Sequence, residues 1–354
     1  MIGITLRKLA LAAWSIIALG AAAPAVVGAQ DLDVMRSHAV VVMYHRFGEA
    51  EYPSTNIRLE QFDAHIKELT GGGYNVIALD ELVAALREKR KLPDRTVAIT
   101  VDDAFTSVYR EAWPRLKAAK LPFTVFVATG QIAAQPNDKY MTWNQIREMH
   151  KAGVGFAHHS VTHAHLADQG AARVRDELAR ATAAFEKELG FRPKIHAYPY
   201  GEASAAVIAA AREAGFAAAF GQHSGALHDG SNFYYLPRFA LNEAFGTIER
   251  FKLVANALPV YATDISPADP FLGKGQPNPP AFGFSIPGGL PYKQRLACYS
   301  SQHGKLSLLN LGDLRIEVRL PKAFNPGRGR INCTMPAKGK RWRWFGYQFH
   351  TPKP

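Results

Sequence analysis

Apolar runs rich in β-branched residues alternate with helical patterns along the first 260 residues, and this alternation limits the possible folds more than any other feature. Five runs are nearly continuous in apolar residues, as in strands covered on both faces of a parallel sheet: 39–45, 96–103, 123–129, 154–160 and 194–201. Helical periodicity separates these runs: 59–69, 82–90, 109–119, 143–151, 171–189 and 203–214. Repeated βα units predict an α/β fold whose parallel sheet closes into a distorted (β/α) barrel.

The positive charge of the chain is concentrated at its C-terminal end. Lys and Arg outnumber Asp and Glu by 42 to 30 in the 354 residues, and residues 266–354 carry 14 of these cations against three acids. Prolines and glycines before this region have the composition of a linker. We predict a catalytic barrel over residues 30–260, a linker over 261–280 and a basic, small all-β domain over 281–354, where short runs lack helical periodicity.

Residues 1–29 have the pattern of a secretory signal peptide. A short cationic start precedes an apolar run that Pro24 closes, and small residues lead to a cleavage site after Ala29. The run is shorter than the ~20 apolar residues of a membrane span, which favours cleavage over an uncleaved anchor. We therefore expect an exported protein, periplasmic or extracellular, in which Cys298 and Cys333 could form a disulfide.

Three of the predicted strands end in residues that can carry chemistry: Asp102-Asp103, His159-x-x-x-His163 and Pro199-Tyr200-Gly201. The carboxyl ends of parallel strands meet at one rim of a barrel, where these residues would come together. Two imidazoles and one carboxylate form a three-ligand site for a divalent cation such as Zn²⁺. A cation of this kind lowers the pKa of the water bound to it to roughly 7. Consecutive strand residues point to opposite sides, so one aspartate can bind the cation while the other accepts a proton.

The motifs resemble those of the polysaccharide deacetylases, carbohydrate esterase family 4. The resemblance covers residues 38–258 and is carried by these segments: Thr100-Val101-Asp102-Asp103-Ala104, His159-Ser160-Val161-Thr162-His163 and Pro199-Tyr200-Gly201. Met43-Tyr44-His45 and the segment 74–79 further resemble the exopolysaccharide branch, whose members de-N-acetylate poly-β-1,6-N-acetylglucosamine. The resemblance implies metal-dependent removal of acetyl groups.

The resemblance also implies a role for each motif residue. Asp102 corresponds to the general base of the family. The metal ligands correspond to Asp103, His159 and His163. Pro199 is expected to contact substrate, and the backbone N–H of Tyr200 corresponds to a donor that stabilises the tetrahedral oxyanion.

The chain departs from the family pattern at points that bear on the chemistry. Ala104 stands where the family usually has Gly, a mild change unless the turn requires a positive φ. Ala197 replaces the Arg that commonly precedes Pro-Tyr, and Arg238 is the candidate to orient the base instead. The family supplies its general acid from a late His, for which His223 and His228 are the positional candidates, with His223 preferred. His45 is predicted to line the substrate pocket, with a role in the core as the alternative.

These residues predict an exported, metal-dependent N-deacetylase of N-acetylglucosamine-type polymers, with Zn²⁺ as the expected metal. An O-acetyl esterase with the same machinery is one alternative, because an alkoxide leaving group needs a weaker acid. A non-catalytic glycan-binding protein on the same barrel is another, and the intact ligand set argues against it.

The segment 341–347 of the tail alternates arginines with aromatic rings and has two interpretations. In the first, it is a half-buried strand whose rings fill the β core and whose arginines are solvated. In the second, its basic face binds an anionic glycan or a cell-surface component near the barrel. Nucleic acid is not an expected partner of an exported protein.

Overall fold

The computed structural model describes residues 36–288 and 290–353, together with the single residues Ile2 and Asp33. The predicted signal peptide therefore lies, apart from Ile2, outside the described residues. Within this described part of the chain, we find no helix whose length and apolar character would let it cross a bilayer.

A parallel sheet that curls into a half-barrel forms the centre of the first region. Its principal strands lie side by side in sequence order: β1 His38–Tyr44, β2 Thr96–Asp102, β3 Phe123–Val127, β4 Gly155–His158, β5 Ile195–Ala197 and β6 Ala218–Phe220. Three short strands extend this sheet: Asn75–Val76, Leu227–His228 and Phe239–Ala240. Arg46–Phe47 and Asn56–Ile57 pair with each other in a separate two-stranded sheet. The principal strands are buried almost throughout, as the continuous apolar runs predict.

The segment after β6 connects the two edges of the curled sheet. Leu236 pairs with Phe220 of β6, and Phe239 pairs with Val42 of β1. Arg238 lies between these two pairings and is fully buried. The segment that connects the two edges therefore places the positive charge of Arg238 inside the curled sheet.

Helices pack on the sheet: α1 Leu59–Gly71, α2 Leu79–Arg87, α3 Trp113–Ala118, α4 Trp143–Lys151, α5 Ala171–Leu189, α6 Ala205–Glu213 and α7 Ile248–Ala255. A π-helix, Val108–Ala112, leads into α3, and 3₁₀ turns occupy Thr129–Gln131, Leu166–Asp168 and Pro199–Gly201. The bounds of α4 and α5 agree with the prediction. Helix α2 begins three residues before the predicted 82, and its first turn holds Asp80 and Glu81, where the helix dipole favours acids.

A second sheet, mostly antiparallel, follows the barrel: β7 Leu258–Pro259, β8 Thr263–Ser266, β9 Phe282–Ser285, β10 Ala297–Ser300, β11 Gly304–Leu311, β12 Arg315–Arg319, β13 Gly327–Pro336 and β14 Trp342–Thr351. Its spatial order is β7-β14-β13-β10-β11-β12-β9-β8. Two 3₁₀ turns, Lys293–Arg295 and Lys338–Lys340, lie between its strands. The start of β11 pairs with β10 and the remainder with β12. The predicted fold class, an α/β barrel followed by a β-rich region, is confirmed.

The core of the second sheet is aromatic and is continuous with the barrel helices. Phe282 of β9 packs against Tyr347 and Phe349 of β14, with ring centroids 5.4 Å and 5.5 Å apart. The same apolar cluster includes Leu178 of α5 and Val207 of α6. The second sheet therefore shares its core with the barrel region.

Part of the segment predicted as a linker, 261–280, belongs to the second sheet. Residues 263–266 form β8, and the backbone N–H groups of Leu272 and His350 donate to the carbonyls of His350 and Pro270 at 2.8 Å and 2.9 Å. Proline and glycine here mark turns between paired segments, which their composition alone does not distinguish from a flexible linker. Cys298 of β10 lies opposite Cys333 of β13, and the two form a disulfide.

Two arginines of the alternating motif, Arg343 in β14 and Arg341 just before it, pair with acids. Arg343 is only 3% exposed and donates to both oxygens of Asp33, at 2.9 Å and 2.5 Å. Arg341 donates to both oxygens of Asp94, at 2.8 Å and 2.9 Å. The expectation that the arginines of this motif are solvated is wrong for Arg343, because an acid from the first hundred residues lies against it inside the fold. Both arginines are already paired with a carboxylate, so neither is available as an unpaired charge for an anionic partner.

Candidate active site

Three side chains that follow strands β2 and β4 converge at the carboxyl-terminal rim of the barrel. Asp103 Oδ1 lies 3.2 Å from His163 Nε2 and 3.5 Å from His159 Nε2. One ligand atom from each of the three residues lies within 4.8 Å of the other two. The structure thus brings together the three residues that the sequence predicts as metal ligands.

The chemistry of these three residues fits a divalent cation. Asp103 Oδ1 and His159 Nε2 are buried and have no hydrogen-bond partner among the residues that the structure describes. His159 Nδ1 lies 2.7 Å from the carbonyl of Ala197, which can only accept, so Nδ1 carries the proton and Nε2 presents a lone pair. Burial opposes ionisation of Asp103, yet the two histidines hold the pKa of its carboxyl well below the ordinary value. One carboxylate and two imidazoles form the donor set of a catalytic zinc site.

The charge around His159 links cation binding to pH. Burial lowers the pKa of a histidine, but the carboxylates of Asp103 and Asp102 raise the pKa of His159 above its ordinary value. The same negative field attracts a cation, which competes with the proton for Nε2. Affinity for a divalent ion is therefore expected to fall as the pH decreases.

Left-handed backbone conformations cluster at this rim. The residues with positive φ are Asp103 (76°), Ala104 (52°), Ser160 (66°), His163 (56°) and Tyr200 (59°). For residues other than glycine this conformation costs about 1–2 kcal/mol, and it is concentrated at functional sites. Ala104 therefore occupies a turn that requires a positive φ. In such a turn, alanine in place of the family's glycine has an energetic cost.

Glu177 of α5 holds the loop that carries both histidines, and the sequence analysis did not identify it. Its fully buried carboxylate accepts hydrogen bonds from the N–H groups of Val161 and Thr162, at 2.9 Å each. The available signal was an acid on the apolar face of α5, next to the buried Leu178 and three residues after the buried Val174.

Asp102, the residue before Asp103, is held by Arg238 from the segment that connects the sheet edges. The guanidinium donates to Oδ1 at 2.7 Å and to Oδ2 at 2.9 Å, and both side chains are fully buried. Burial is the largest single effect and raises the pKa of Asp102, but Arg238, His159 and His45 together outweigh it and hold the pKa below its ordinary value. Asp102 is therefore ionised at neutral pH and able to accept a proton.

Replacing Arg238 with methionine is expected to lower the free energy of unfolding by about 3–5 kcal/mol, because Asp102 would be left buried without its counter-charge. In the wild type, the contribution of ionised Asp102 to stability is complete above the unfolded pKa, about 3.9, and is lost as the pH falls through the lower folded pKa. In Arg238→Met the pKa of Asp102 rises, so the acidic limb of kcat/KM moves to higher pH. Denaturant unfolding and pH–rate profiles measure both effects.

Arg343→Met is the matched control, since Arg343 is also buried and paired with a carboxylate, that of Asp33, away from the rim. It should lose stability without moving the acidic limb. An unchanged acidic limb in Arg238→Met would contradict the role assigned to this arginine.

His45 and Tyr200 lie at the rim, as the sequence predicts. His45 Nε2 is 3.8 Å from Asp102 Oδ2, and its side chain is 15% exposed. The ring of Tyr200 packs edge-on against His163, with centroids 4.5 Å apart, and Pro199 precedes it in the 3₁₀ turn.

The structure does not bring His223 to this group. Its side chain is buried against the rings of Tyr235 and Tyr347, at centroid distances of 4.5 Å and 6.3 Å. Burial lowers the pKa of His223 to about 3, so the ring is neutral at physiological pH. No hydrogen bond, ion pair or ring contact within residues 36–288 and 290–353 joins His223 to Asp102 or Asp103. Its position suits a general acid less well than that of His45.

A curled α/β barrel that presents one carboxylate and two imidazoles at its carboxyl-terminal rim, with an ionised carboxylate beside them, is the framework of a hydrolase. Residues 89–219 match the family described as polysaccharide deacetylase. The match spans 131 of the 354 residues, and the members of that family are hydrolases that act on acetamide C–N bonds.

Relatives and solved structures agree with this assignment. The chain is 25% identical over 242 residues to the poly-beta-1,6-N-acetyl-D-glucosamine N-deacetylase of Staphylococcus aureus, a match that covers 60% of this chain and 82% of that protein. The structure of IcaB from Ammonifex degensii is similar with a TM-score of 0.57 and 26% identity, over 62% of this chain and 98% of that one. A Streptococcus pyogenes deacetylase, PplD, has the same fold, with a TM-score of 0.58, 20% identity and coverage of 62% and 99%.

Proposed function

We propose that this protein is an exported, metal-dependent N-deacetylase that hydrolyses acetamide groups of N-acetylglucosamine polymers to acetate and free amines. The convergence of Asp103, His159 and His163 beside the ionised Asp102 carries this proposal. The S. aureus relative, named for poly-β-1,6-N-acetylglucosamine, supports the choice of substrate class. The signal-peptide pattern of residues 1–29 supports export to the periplasm or the cell exterior.

Zn²⁺ is the cation that we propose for the site, since its donors are two imidazole nitrogens and a carboxylate oxygen. When bound, such an ion lowers the pKa of water and polarises a carbonyl group. Calcium and magnesium favour sites composed of oxygen ligands, and two of the three donors here are nitrogens.

In the proposed reaction, the carboxylate of Asp102 accepts the proton of the water that attacks the acetamide carbonyl carbon. Arg238 orients this carboxylate through its two hydrogen bonds and keeps it ionised. Negative charge develops on the carbonyl oxygen as the tetrahedral intermediate forms, and the backbone N–H of Tyr200 is the donor proposed to stabilise it. Cleavage of the C–N bond then releases acetate, and the leaving nitrogen takes up a proton.

We propose His45 as the donor of that proton, in place of the predicted His223. His45 lies 3.8 Å from the base, whereas His223 is buried among the rings of Tyr235 and Tyr347. The carboxylates of Asp102 and Asp103 favour the protonated form of His45, although burial is the larger effect and lowers its pKa below the ordinary value. Because His45 lies at the same rim as Asp102, it can donate a proton to the leaving nitrogen of the substrate whose attacking water gives a proton to Asp102.

Replacing His45 with glutamine is expected to reduce kcat on an N-acetylglucosamine oligomer by about 10²–10⁴-fold. Loss on an aryl acetate should be smaller, because a phenolate leaves without prior protonation. The wild-type rate should fall as the pH rises through the pKa of His45, and this alkaline limb should disappear in the variant. His223→Gln is the control, and a larger loss in that variant would assign the acid to His223.

Acetate release tests the proposed function directly. The substrates are N-acetylglucosamine oligomers with β-1,6 and β-1,4 linkages, peptidoglycan and O-acetylated xylan, each with zinc and with a chelator. We expect chelator-sensitive release from the N-acetylglucosamine oligomers. Release from acetylated xylan alone would identify an O-acetyl esterase, and binding without release from any substrate would identify a glycan-binding protein.

A further inference from the structure

Strand β14 of the second sheet reaches the rim of the barrel through Gln348. This side chain is fully buried, and its Nε2 donates to the backbone carbonyls of Tyr200 and Gly201, at 3.2 Å and 2.9 Å. Both carbonyls belong to the turn whose Tyr200 N–H is the proposed donor to the oxyanion. A residue nearly 150 positions later in the chain therefore holds this turn.

The neighbouring strand determines which way the Gln348 amide points. Arg330 of β13 lies directly opposite Gln348 in the sheet, and its Nε donates to Gln348 Oε1 at 2.8 Å. Because arginine has donors and no acceptor, Oε1 must face Arg330. The amide nitrogen is then directed at the two carbonyls, which can only accept.

The turn held by Gln348 has a backbone that requires support. Tyr200 and Gly201 are consecutive left-handed residues, with φ of 59° and 68°. A Cβ at position 201 would lie 2.3 Å from the backbone nitrogen of Gln222, so only glycine fits there. Such conformations persist where the surrounding structure determines them strongly. The hydroxyl of Tyr235 adds to this support, 3.1 Å from the carbonyl of Gly201 and 3.0 Å from that of Gln348.

A second connection from β14 reaches the ring of Tyr200. His350 is 4% exposed, and its two nitrogens lie 2.7 Å from Asp168 Oδ1 and 3.5 Å from Glu202 Oε1. The other oxygen of Glu202 contacts His165 Nδ1 at 2.6 Å, and the ring of His165 stacks on that of Tyr200 with centroids 4.1 Å apart. Strand β14 thus contacts the backbone carbonyls of the turn directly, and it connects to the ring of Tyr200 indirectly, through Glu202 and His165.

We propose that the second sheet is part of the catalytic centre, where Gln348 is a positioning residue that fixes the Tyr200 N–H for the oxyanion. This inference rests on the proposed function, since it assigns Gln348 a task in that reaction. It differs from both interpretations of the basic tail drawn from the sequence, a half-buried strand of the β core and a surface that captures an anionic partner.

The test compares two full-length variants that each replace an amide of the second sheet with an apolar side chain of similar size. Gln348→Met removes the hydrogen bonds to the turn. Asn332→Leu removes a hydrogen bond from Trp344 Nε1 to Asn332 Oδ1, 3.0 Å long, within the same sheet. For each variant we would measure kcat and KM on an N-acetylglucosamine oligomer and on an aryl acetate, zinc affinity by calorimetry and the thermal midpoint.

We expect Gln348→Met to lower kcat by about 10–100-fold on both substrates, with KM and zinc affinity unchanged, because a small displacement of a catalytic group has effects of this size. Asn332→Leu should lose thermal stability and keep its kcat. Wild-type kcat in Gln348→Met, or equal losses of kcat in both variants, would overturn the inference. If Gln348→Met is insoluble, Gln348→Glu replaces it, since this change keeps the shape of the side chain and removes the amide donor to the two carbonyls. An unchanged kcat in that variant has the same meaning.

The aryl acetate separates this inference from the proposed function. A wild type that hydrolyses the aryl acetate but no N-acetylglucosamine oligomer would contradict the proposed substrate. The effect of Gln348→Met on the aryl acetate would still decide the role of the turn.

Discussion

Asp103→Ala is expected to lose divalent-cation binding and acetate release together. The variant removes the carboxylate whose Oδ1 lies 3.2 Å and 3.5 Å from the two histidine nitrogens. Two neutral imidazoles then remain, without the carboxylate ligand that lies beside both of them. Loss of a residue that only orients a ligand already lowers metal affinity by about 10–100-fold, and removal of a ligand should exceed this. Calorimetric titration with zinc and metal analysis of the purified protein measure the effect.

Asp63→Ala is the control for this prediction, because Asp63 is a surface carboxylate that pairs with Arg115 on the helices. The Asp63→Ala variant should keep the zinc affinity and the rate of acetate release of the wild type. Stoichiometric zinc in Asp103→Ala, or activity that survives a chelator in the wild type, would remove the metal assignment.

Asp102→Asn should reduce kcat by about 10²–10⁴-fold while the protein still binds zinc, because this change removes the proposed base and leaves the three ligands in place. The pairing of metal retention with loss of rate distinguishes a base from a ligand. Steady-state kinetics and zinc titration of the same preparation provide the measurement. A variant that lost zinc along with its rate would show that Asp102 acts at the metal.

The same substitution leaves Arg238 charged and buried without its partner, so Asp102→Asn is also expected to lose about 3–5 kcal/mol of stability. The double variant Asp102→Asn/Arg238→Met separates the two effects. Without either charge, it should regain part of the stability and none of the rate. Recovery of activity in the double variant would indicate that the single variant was merely unfolded.

The rim chemistry was predictable from the sequence because it depends on local patterns. The apolar run before Asp102 and the one before His158 identify buried parallel strands, and parallel strands place their carboxyl ends together. The meeting of Asp103 with His159 and His163 follows from these two facts. Arg238 was also identified, since a chain that lacks the usual arginine beside its Pro-Tyr motif needs another cation for its base.

Other features of the site depend on side-chain direction, which the sequence pattern did not reveal. His45 and His223 both follow strands, yet His45 faces the base and His223 packs against Tyr235. Glu177 was overlooked because an acid within an amphipathic helix is ordinarily assigned to its solvated face. In the structure its carboxylate accepts hydrogen bonds from the backbone N–H groups of Val161 and Thr162, between the two histidines, and pairs with Arg173.

The sequence by itself determined the order of the strands, the carboxyl-terminal rim and the residues that converge there, since each follows from periodicity over a few residues and from the geometry of parallel sheets. Only the tertiary structure decided that the second sheet belongs to the site. Arg343 finds Asp33, and Gln348 finds the carbonyls of Tyr200 and Gly201, across separations of 310 residues and of 148 and 147 residues. A buried charge or amide requires a partner, and the local sequence does not specify which distant segment will supply it.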